Sequence, residues 1–210
     1  MIGRGPGATA VNTHRIETER LLIEVPTIDD APTLFDLVGG ADRVEITEYL
    51  IWDGPDHLSE TREFIEKVRT ELYGANGFHW VIRDRQGLVT AASGTAMGMI
   101  GTRPSGEPGR GDFGYWLGKA HWGRGIMGEA LASLLDLAFG ELDMVKIEAE
   151  VFTGNARSIR LVESLGMRRE GTIRSAHLKR GNWVEAHTYG VLREEWERDR
   201  RTPSGSHADP

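Results

Sequence analysis

No cysteine occurs anywhere in the 210 residues. That absence removes a disulfide framework, a thiolate nucleophile and a sulfur-ligated metal at once. Nothing approaches the roughly 18 uninterrupted apolar residues of a membrane-spanning helix. The first residues also lack a signal-peptide core, so a cytoplasmic protein is expected. Positive charge is in deficit: 25 Lys and Arg stand against 32 Asp and Glu, a net charge of −7. Nonspecific nucleic-acid binding is disfavoured; a cationic partner is mildly favoured, although an acidic solvated surface is the commoner reason for such a balance. The seven histidines show no H-E-x-x-H or other ligand spacing, so no metal is expected, and His121, His177 and His187 read as surface or packing residues. Internal repeats and interdomain linkers are also missing. The length suits one domain, long enough to bury most of the surface of its unfolded chain.

What is present is organised by period. Residues 1–13 are Gly-rich and polar, a flexible lead-in; residues 14–198 form the domain; residues 199–210 read as a disordered tail. Within the domain, Arg20 to Val25 predicts a strand, and Asp29 or Asp30 caps a helix through Leu34 to Val38. Ser59 opens a longer amphipathic helix with Phe64, Ile65, Val68 and Leu72 at helical spacing. Phe78 to Arg83, Thr95 to Thr102 and Asp112 to Leu117 read as strands, with Pro104 to Arg110 a connection before the third. Lys146 to Val151 alternates Ile147, Ala149 and Val151 against Glu148 and Glu150, a half-buried strand. Ala156 to Leu165 is a helix stopped by Gly166, and Thr188 to Leu192 a last strand.

The most informative stretch is Trp122-Gly123-Arg124-Gly125-Ile126-Met127-Gly128. Three glycines leave successive amides free to turn toward one point. The stripe Met127, Leu131, Leu134, Leu135 and Ala138 starts a helix there. A helix N-terminus with bare glycine amides is an anion site, most often for a phosphate or pyrophosphate. Gly123, Gly125 and Gly128 also spell the dinucleotide fingerprint G-x-G-x-x-G, with Glu148 twenty residues beyond Gly128. Against that reading, Gly118 to Trp122 separates the preceding strand from the first glycine, the motif lies past the midpoint, and too few strand-helix pairs follow for a doubly wound sheet.

The same stretch resembles the cofactor arm of the GCN5-related N-acetyltransferases, whose pattern R/Q-x-x-G-x-G/A overlays Trp122 to Met127 with Gly125 as the fixed glycine. It departs at both ends, with Trp122 where Arg or Gln is usual and Met127 where Gly or Ala is usual. These departures resemble the RimJ/RimL-like branch, which acetylates ribosomal-protein N-termini. An ordered series supports the likeness: Thr18 to Ile23, Gly114 to Leu117, Glu129-Ala130, Asn155 to Ser158, Glu163 to Met167, Glu170-Gly171, Gly181 to Trp183, and Tyr189 to Trp196. The resemblance implies an α+β fold with a single mixed, mostly antiparallel sheet flanked by helices and two splayed central strands. It implies acetyl-CoA as co-substrate. The pyrophosphate would sit on Trp122, Gly123, Arg124, Gly125, Ile126, Met127 and Gly128, and pantetheine along the strand edge at Trp116 and Leu117. The side chains of Trp116 and Trp183 read as core.

By the same resemblance, Asn155 and Ser158 face the cofactor's sulfur end. Many relatives carry a tyrosine four residues after the Ser158 position as proton donor; here that position is Val162. Ser158 is the nearest replacement, and helix capping is the bland alternative for both residues. Glu148 and Glu150 are candidates for general base, with Asp112, and Tyr115 through water, beside them. Tyr49, Trp52 and Asp53 fall where this branch places its acceptor loop. The expected activity is transfer of acetyl to a primary amine, such as a protein N-terminal α-amine, by direct attack in a ternary complex. Acetylation of a small-molecule amine, or a non-catalytic acyl-CoA sensor of the same fold, are the alternatives. Oligomeric state is not readable.

Overall fold

The computed structural model describes residues 15–70, 77–90 and 92–201. Leu72, expected in the second long helix, and the terminal segments before residue 15 and after residue 201 lie outside the described residues. Eight strands form one sheet, in the order β1-β2-β3-β4-β5-β6-β8-β7. They are β1 (Arg15–Glu17), β2 (Leu21–Glu24), β3 (Phe78–Asp84), β4 (Ala96–Pro104), β5 (Arg110–Leu117), β6 (Lys146–Phe152), β7 (Arg168–Lys179) and β8 (Asn182–Leu192). Every neighbouring pair is antiparallel except β5 and β6. A parallel pair needs a crossover, and it is supplied by α4 (Ile126–Gly140). The mixed sheet with splayed central strands is thus the observed fold.

The crossover helix sits at the centre of the core because its apolar stripe is wide. Ile126, Met127, Ala130, Leu131, Leu134, Leu135, Ala138 and Phe139 are all buried. They pack against Leu21, Ile23, Trp80, Ile82, Phe113, Ile147, Ala149 and Tyr189 on one face of the sheet. Helix α5 (Ala156–Ser164) joins that face through Val162, and α6 (Arg193–Arg201) through Trp196. The other face carries α1 (Ala31–Gly39), the single turn α2 (Arg43–Ile46) and α3 (Leu58–Thr70). Its smaller cluster is Ala31, Leu34, Ile65, Val81, Ala96 and Met99, with Trp116 packed against it. Successive residues of a strand point to opposite faces, so Trp116 turns toward α1 while Tyr115 and Leu117 turn toward α4.

Three expectations need correction. The last strand begins at Asn182, not Thr188, and pairs with the long strand β7, which the sequence reading did not contain. Trp183, expected in the core, is 65% exposed because it is the second residue after the tight turn at Arg180 and Gly181. Helix α6 runs to Arg201, three residues past the expected domain boundary.

Candidate functional site

The site begins where β5 and β6 part. The two strands are paired at Arg110 with Lys146, Gly111 with Ile147 and Asp112 with Glu148, and the register ends there. Yet β5 stays paired to β4 as far as Leu117, and β6 stays paired to β8 as far as Phe152. The facing edges of residues 113–117 and 149–152 therefore present backbone groups to a widening gap, and such groups require partners. The gap opens at the carboxyl ends of two parallel strands, the usual place for a ligand in an open sheet.

The glycine turn closes one end of this wedge. Gly123 and Gly125 have φ of 71° and 73°, and Gly125 is the N-cap of α4 with no side-chain cap bond. A Cβ at Gly123 would meet nothing within 4 Å. The first amides of a helix have no intrahelical acceptor, so those of Ile126, Met127 and Gly128 face outward at the positive end of the helix dipole. A side-chain brace fixes the turn from below. Arg20 donates through Nη1 to the Arg124 carbonyl at 3.1 Å and through Nε to Glu129 at 2.6 Å, and the Thr18 hydroxyl also bonds Glu129. Burial alone would push the Glu129 carboxyl up; the Thr18 and Arg20 bonds outweigh it and hold it below its ordinary value. Sequence inspection saw Thr18 to Ile23 and Glu129-Ala130 as separate motifs; in space they are one clamp.

Trp122 donates its indole N–H to the Leu117 carbonyl at 2.8 Å, which ties the turn to the end of β5. Over its ring, 4.7 Å from the centroid, lies the guanidinium of Arg157 from α5. Sequence reasoning missed Arg157, whose only signal was a cation between Asn155 and Ser158. It supplies a positive charge beside the position where the resembled pattern has Arg or Gln. These features fit a pyrophosphate: open glycine positions, outward amides and a nearby cation.

On the α4 side of the gap, Asn155 caps α5 by accepting from the Ser158 amide at 3.1 Å. The Ser158 hydroxyl lies 2.6 Å from the Tyr115 hydroxyl, with either able to donate. Burial pushes the Tyr115 phenol up, with the Ser158 bond opposing. Val162 is fully buried and offers no polar group.

The opposite face of the gap carries carboxylates. Asp112 and Glu148 are register partners and share that face with Glu150, two residues on. Glu148 bonds Arg110 at 2.6 Å and pairs with Lys146 at 3.2 Å; burial raises its carboxyl, but these cations outweigh it and hold it low. Glu150 bonds His177, which stacks on Phe152. Asp112 behaves differently: burial pushes its carboxyl up, Arg103 opposes, and Glu148 and Glu150 add to the rise.

The loop with Tyr49, Trp52 and Asp53 is held by the hairpin of β7 and β8. Lys179, 6% exposed, donates to the Trp52 carbonyl at 3.0 Å and to Asp53 at 2.5 Å. Arg180 adds a 3.1 Å pair with Asp53 and a 2.7 Å bond to the Thr47 hydroxyl. Asp53 is thereby engaged by the hairpin. Trp52 stays 45% exposed, and Tyr49 lies against Gly154, where an added Cβ would come within 3.3 Å of its ring. Burial raises the Tyr49 phenol, helped by Glu48 and opposed by Arg157. Among the described residues no group of three or more His, Asp or Glu could hold a metal ion, and no helix is long and apolar enough to cross a membrane.

Residues 20–168 match the model of the acetyltransferase (GNAT) domain. N-acetyltransferase p20 of Bacillus licheniformis is 29% identical over 181 residues, covering 85% of this chain and 96% of that protein. Two solved structures share the fold. Mycobacterium smegmatis RimJ, in complex with CoA-disulfide, has a TM-score of 0.74 and 21% identity, with 83% of each chain covered. The ribosomal-protein-S5-alanine acetyltransferase of Vibrio fischeri has a TM-score of 0.72 and 17% identity, with 87% of this chain and 98% of that one covered. The matched domain takes in the strands that part, the turn that caps α4 and the helix that follows, and the chain belongs to the GNAT family of acetyltransferases.

Proposed function

We propose that this acetyltransferase moves acetyl from acetyl-CoA to a primary amine by direct attack in a ternary complex, with a peptide α-amine as the preferred acceptor. The observation that carries the cofactor assignment is the braced glycine turn at the mouth of the strand gap. The amides of Gly123 to Gly128 and the Arg157 charge suit a pyrophosphate. The edge of β5 at Trp116 and Leu117 suits the two amides of pantetheine. RimJ of Mycobacterium smegmatis, which shares the fold, was solved with a coenzyme A derivative. Bound acetyl-CoA supplies an activated thioester carbonyl; the protein must hold it, admit a neutral amine and stabilise the charges that develop.

The amine approaches from the carboxylate face. Asp112, Glu148 and Glu150 line that mouth, with Arg103, Arg110 and Lys146 paired to the first two and His177 bonded to the third. Of these, Asp112 suits proton acceptance best, because its raised carboxyl lies nearer the working range than Glu148, which two cations hold low. Tyr49 and Trp52 form the far wall.

Proton energetics favour an α-amine. Its ordinary pKa is ~7.7–8.0, against ~10.4 for lysine, a gap that corresponds to roughly 3–4 kcal/mol of deprotonation. A site whose carboxylates are mostly engaged by cations favours the amine that is already partly neutral. The S5-alanine acetyltransferase, by its name, works on an alanine of a ribosomal protein, which is in keeping with such an acceptor. The test compares free-N-terminus peptides, N-blocked peptides carrying lysine, and spermidine at one pH, reading thiol release and product mass. The free peptides should react fastest. Faster reaction of the blocked peptide or spermidine overturns the α-amine assignment, and absence of acceptor-dependent thiol release from all three points to a binding module.

A further inference from the structure

Resting on the acetyltransferase reading, we propose that Tyr115 and Ser158 form a two-hydroxyl relay to the departing coenzyme A thiolate, with Ser158 beside the sulfur and Tyr115 behind it. The starting point is a gap in the proton inventory. Helix α5 presents Val162, fully buried, where a phenol is usual, and Ser158 is left as the hydroxyl nearest the wedge on that helix. A serine hydroxyl alone is a poor donor, since an aliphatic alcohol is a far weaker acid than a phenol and would be left as an alkoxide. A thiol like that of cysteine titrates near ~8.5 and a tyrosine near ~10. Passing the demand from serine to a phenol leaves ~1.5 units between the free groups, a gap that burial of Tyr115 widens but that is still far smaller than for an aliphatic alcohol.

The geometry supplies that phenol from another element. Tyr115 reaches from β5 to within 2.6 Å of the Ser158 oxygen, 43 residues away in the chain. It lies beyond Asp112, the last β5 residue paired with β6, and so on the part of the strand that lines the gap. Ser158 is fixed at its backbone by the Asn155 cap, so its hydroxyl has only rotation left. With Tyr115 donating, the Ser158 hydrogen is free to point elsewhere. Burial favours the neutral phenol, so Tyr115 enters the cycle protonated.

The step balances. The amine nitrogen forms the new C–N bond and the C–S bond breaks, the sulfur keeping the electron pair. Sulfur takes the Ser158 proton, Ser158 takes the Tyr115 proton, and solvent returns to Tyr115 the proton that the nitrogen sheds. Ser158 is the catalytic residue in this scheme and Tyr115 the positioning residue that acts through it. A bond that merely fastens β5 to α5 would show none of the following.

The first readout needs no turnover: the titration of bound coenzyme A, followed by the ultraviolet absorbance of its thiolate. A donor to the charged form lowers a pKa. The bound thiol should therefore titrate at lower pH in the parent than in Tyr115→Phe, Ser158→Ala or the double variant. Ser158→Ala and the double variant should shift it equally and the most, and Tyr115→Phe by less, because the serine hydroxyl can still donate to the sulfur there. Turnover should fall about tenfold to a hundredfold in Tyr115→Phe, with the acetyl-CoA KM within about twofold, and the double variant should be no slower than Ser158→Ala. Ser158→Thr, which keeps a hydroxyl, should retain most of the rate. Unchanged thiol titration and turnover in a folded Tyr115→Phe overturns the relay, as does a double variant whose losses multiply. Should Tyr115→Phe not fold, incorporation of 3-fluorotyrosine carries the same test: a more acidic phenol should lower the bound thiol further, and no change overturns the proposal. A parent protein that binds coenzyme A but acetylates no amine defeats the acetyltransferase reading instead, whatever the titration shows.

Discussion

The two sides of the strand gap are built on opposite principles. The cofactor side is a backbone device: glycines at positive φ, a helix N-terminus and an unpaired strand edge, with side chains used chiefly as clamps from below. The acceptor side is a side-chain device. There a loop carrying Tyr49 and Trp52 is tied to a distant hairpin through Lys179, Arg180 and Asp53. A backbone device tolerates Trp122 where Arg or Gln is usual, provided that the glycines stay. A side-chain device has no such tolerance, but it can be re-aimed by a few substitutions. A constant cofactor with a variable acceptor would call for this division.

The sharpest way to break the comparison is to give the turn a branched side chain. Gly125 caps α4 at φ 73°, a region that a β-branched residue reaches only under strain. Backbone strain of this kind is on the order of 1–3 kcal/mol. Gly125→Val should relieve it by rotating the turn, which withdraws the amides of Ile126 and Met127 from their common point. Coenzyme A affinity should fall about a hundredfold by calorimetry, each factor of ten being ~1.4 kcal/mol. The fold should survive, since α4 is held by its buried stripe. Unchanged affinity in a folded variant removes the turn from the site.

This asymmetry also explains what was legible beforehand. Periodicity is local, so the apolar stripe of α4, the alternation of Ile147, Ala149 and Val151 in β6 and the Gly166 stop of α5 were visible in the sequence. The glycine turn was visible for the same reason. Strand β7 was not: most of its residues between Arg168 and Leu178 are exposed, and two register shifts interrupt it, so no period-2 pattern survives. Helix α6 reads as a run of charge because Trp196 is its one apolar residue. The functional pairings were illegible because they are remote. Arg20 meets Glu129 across 109 residues, and Lys179 meets Asp53 across 126. Trp183 misled because a large aromatic suggests core, whereas its place beside a hairpin turn exposes it.

An intermediate effect should follow from cutting the acceptor side at Asp53. Asp53→Ala removes the pair with Lys179 and Arg180 and leaves a nearly buried ammonium donating to the Trp52 carbonyl without its carboxylate. A misplacement of about 1 Å near a reacting centre can lower rates about a hundredfold. Arg43 still holds the Asp53 and Gly54 carbonyls at 2.8 and 3.1 Å, so the loop should shift rather than detach. The acceptor KM should rise about tenfold, with coenzyme A affinity unchanged. The effect has a defined pH window. The Lys179 bond, opposed by burial and helped by Arg180, holds the Asp53 carboxyl below its ordinary value. A depressed carboxylate contributes fully above its unfolded pKa of ~3.9 and loses that contribution only as pH falls through the lower folded value. The difference between parent and variant should thus stay constant across mildly acidic and neutral pH. A difference that vanishes near neutrality would mean that another group anchors the loop.

The smallest expected effect belongs to the residue that both sides share. Arg157 lies over Trp122 at the cofactor turn, and its charge also reaches Tyr49 on the acceptor loop, where it favours the ionised phenol. It is solvent-exposed, so its attraction to phosphate is screened. An exposed ion pair is worth about 0.2–1 kcal/mol, which converts to at most about fivefold in affinity. Arg157→Ala should weaken coenzyme A binding by that factor and flatten its salt dependence, because a cation near the pyrophosphate has gone. Arg157→Lys keeps the charge but loses the planar stack, and should fall between parent and alanine. The acceptor KM should move less than the cofactor affinity, since Tyr49 stands against Gly154 whether or not the guanidinium is present. A larger change in acceptor KM than in coenzyme A affinity would move Arg157 to the acceptor side and erase the division between a backbone-built and a side-chain-built half.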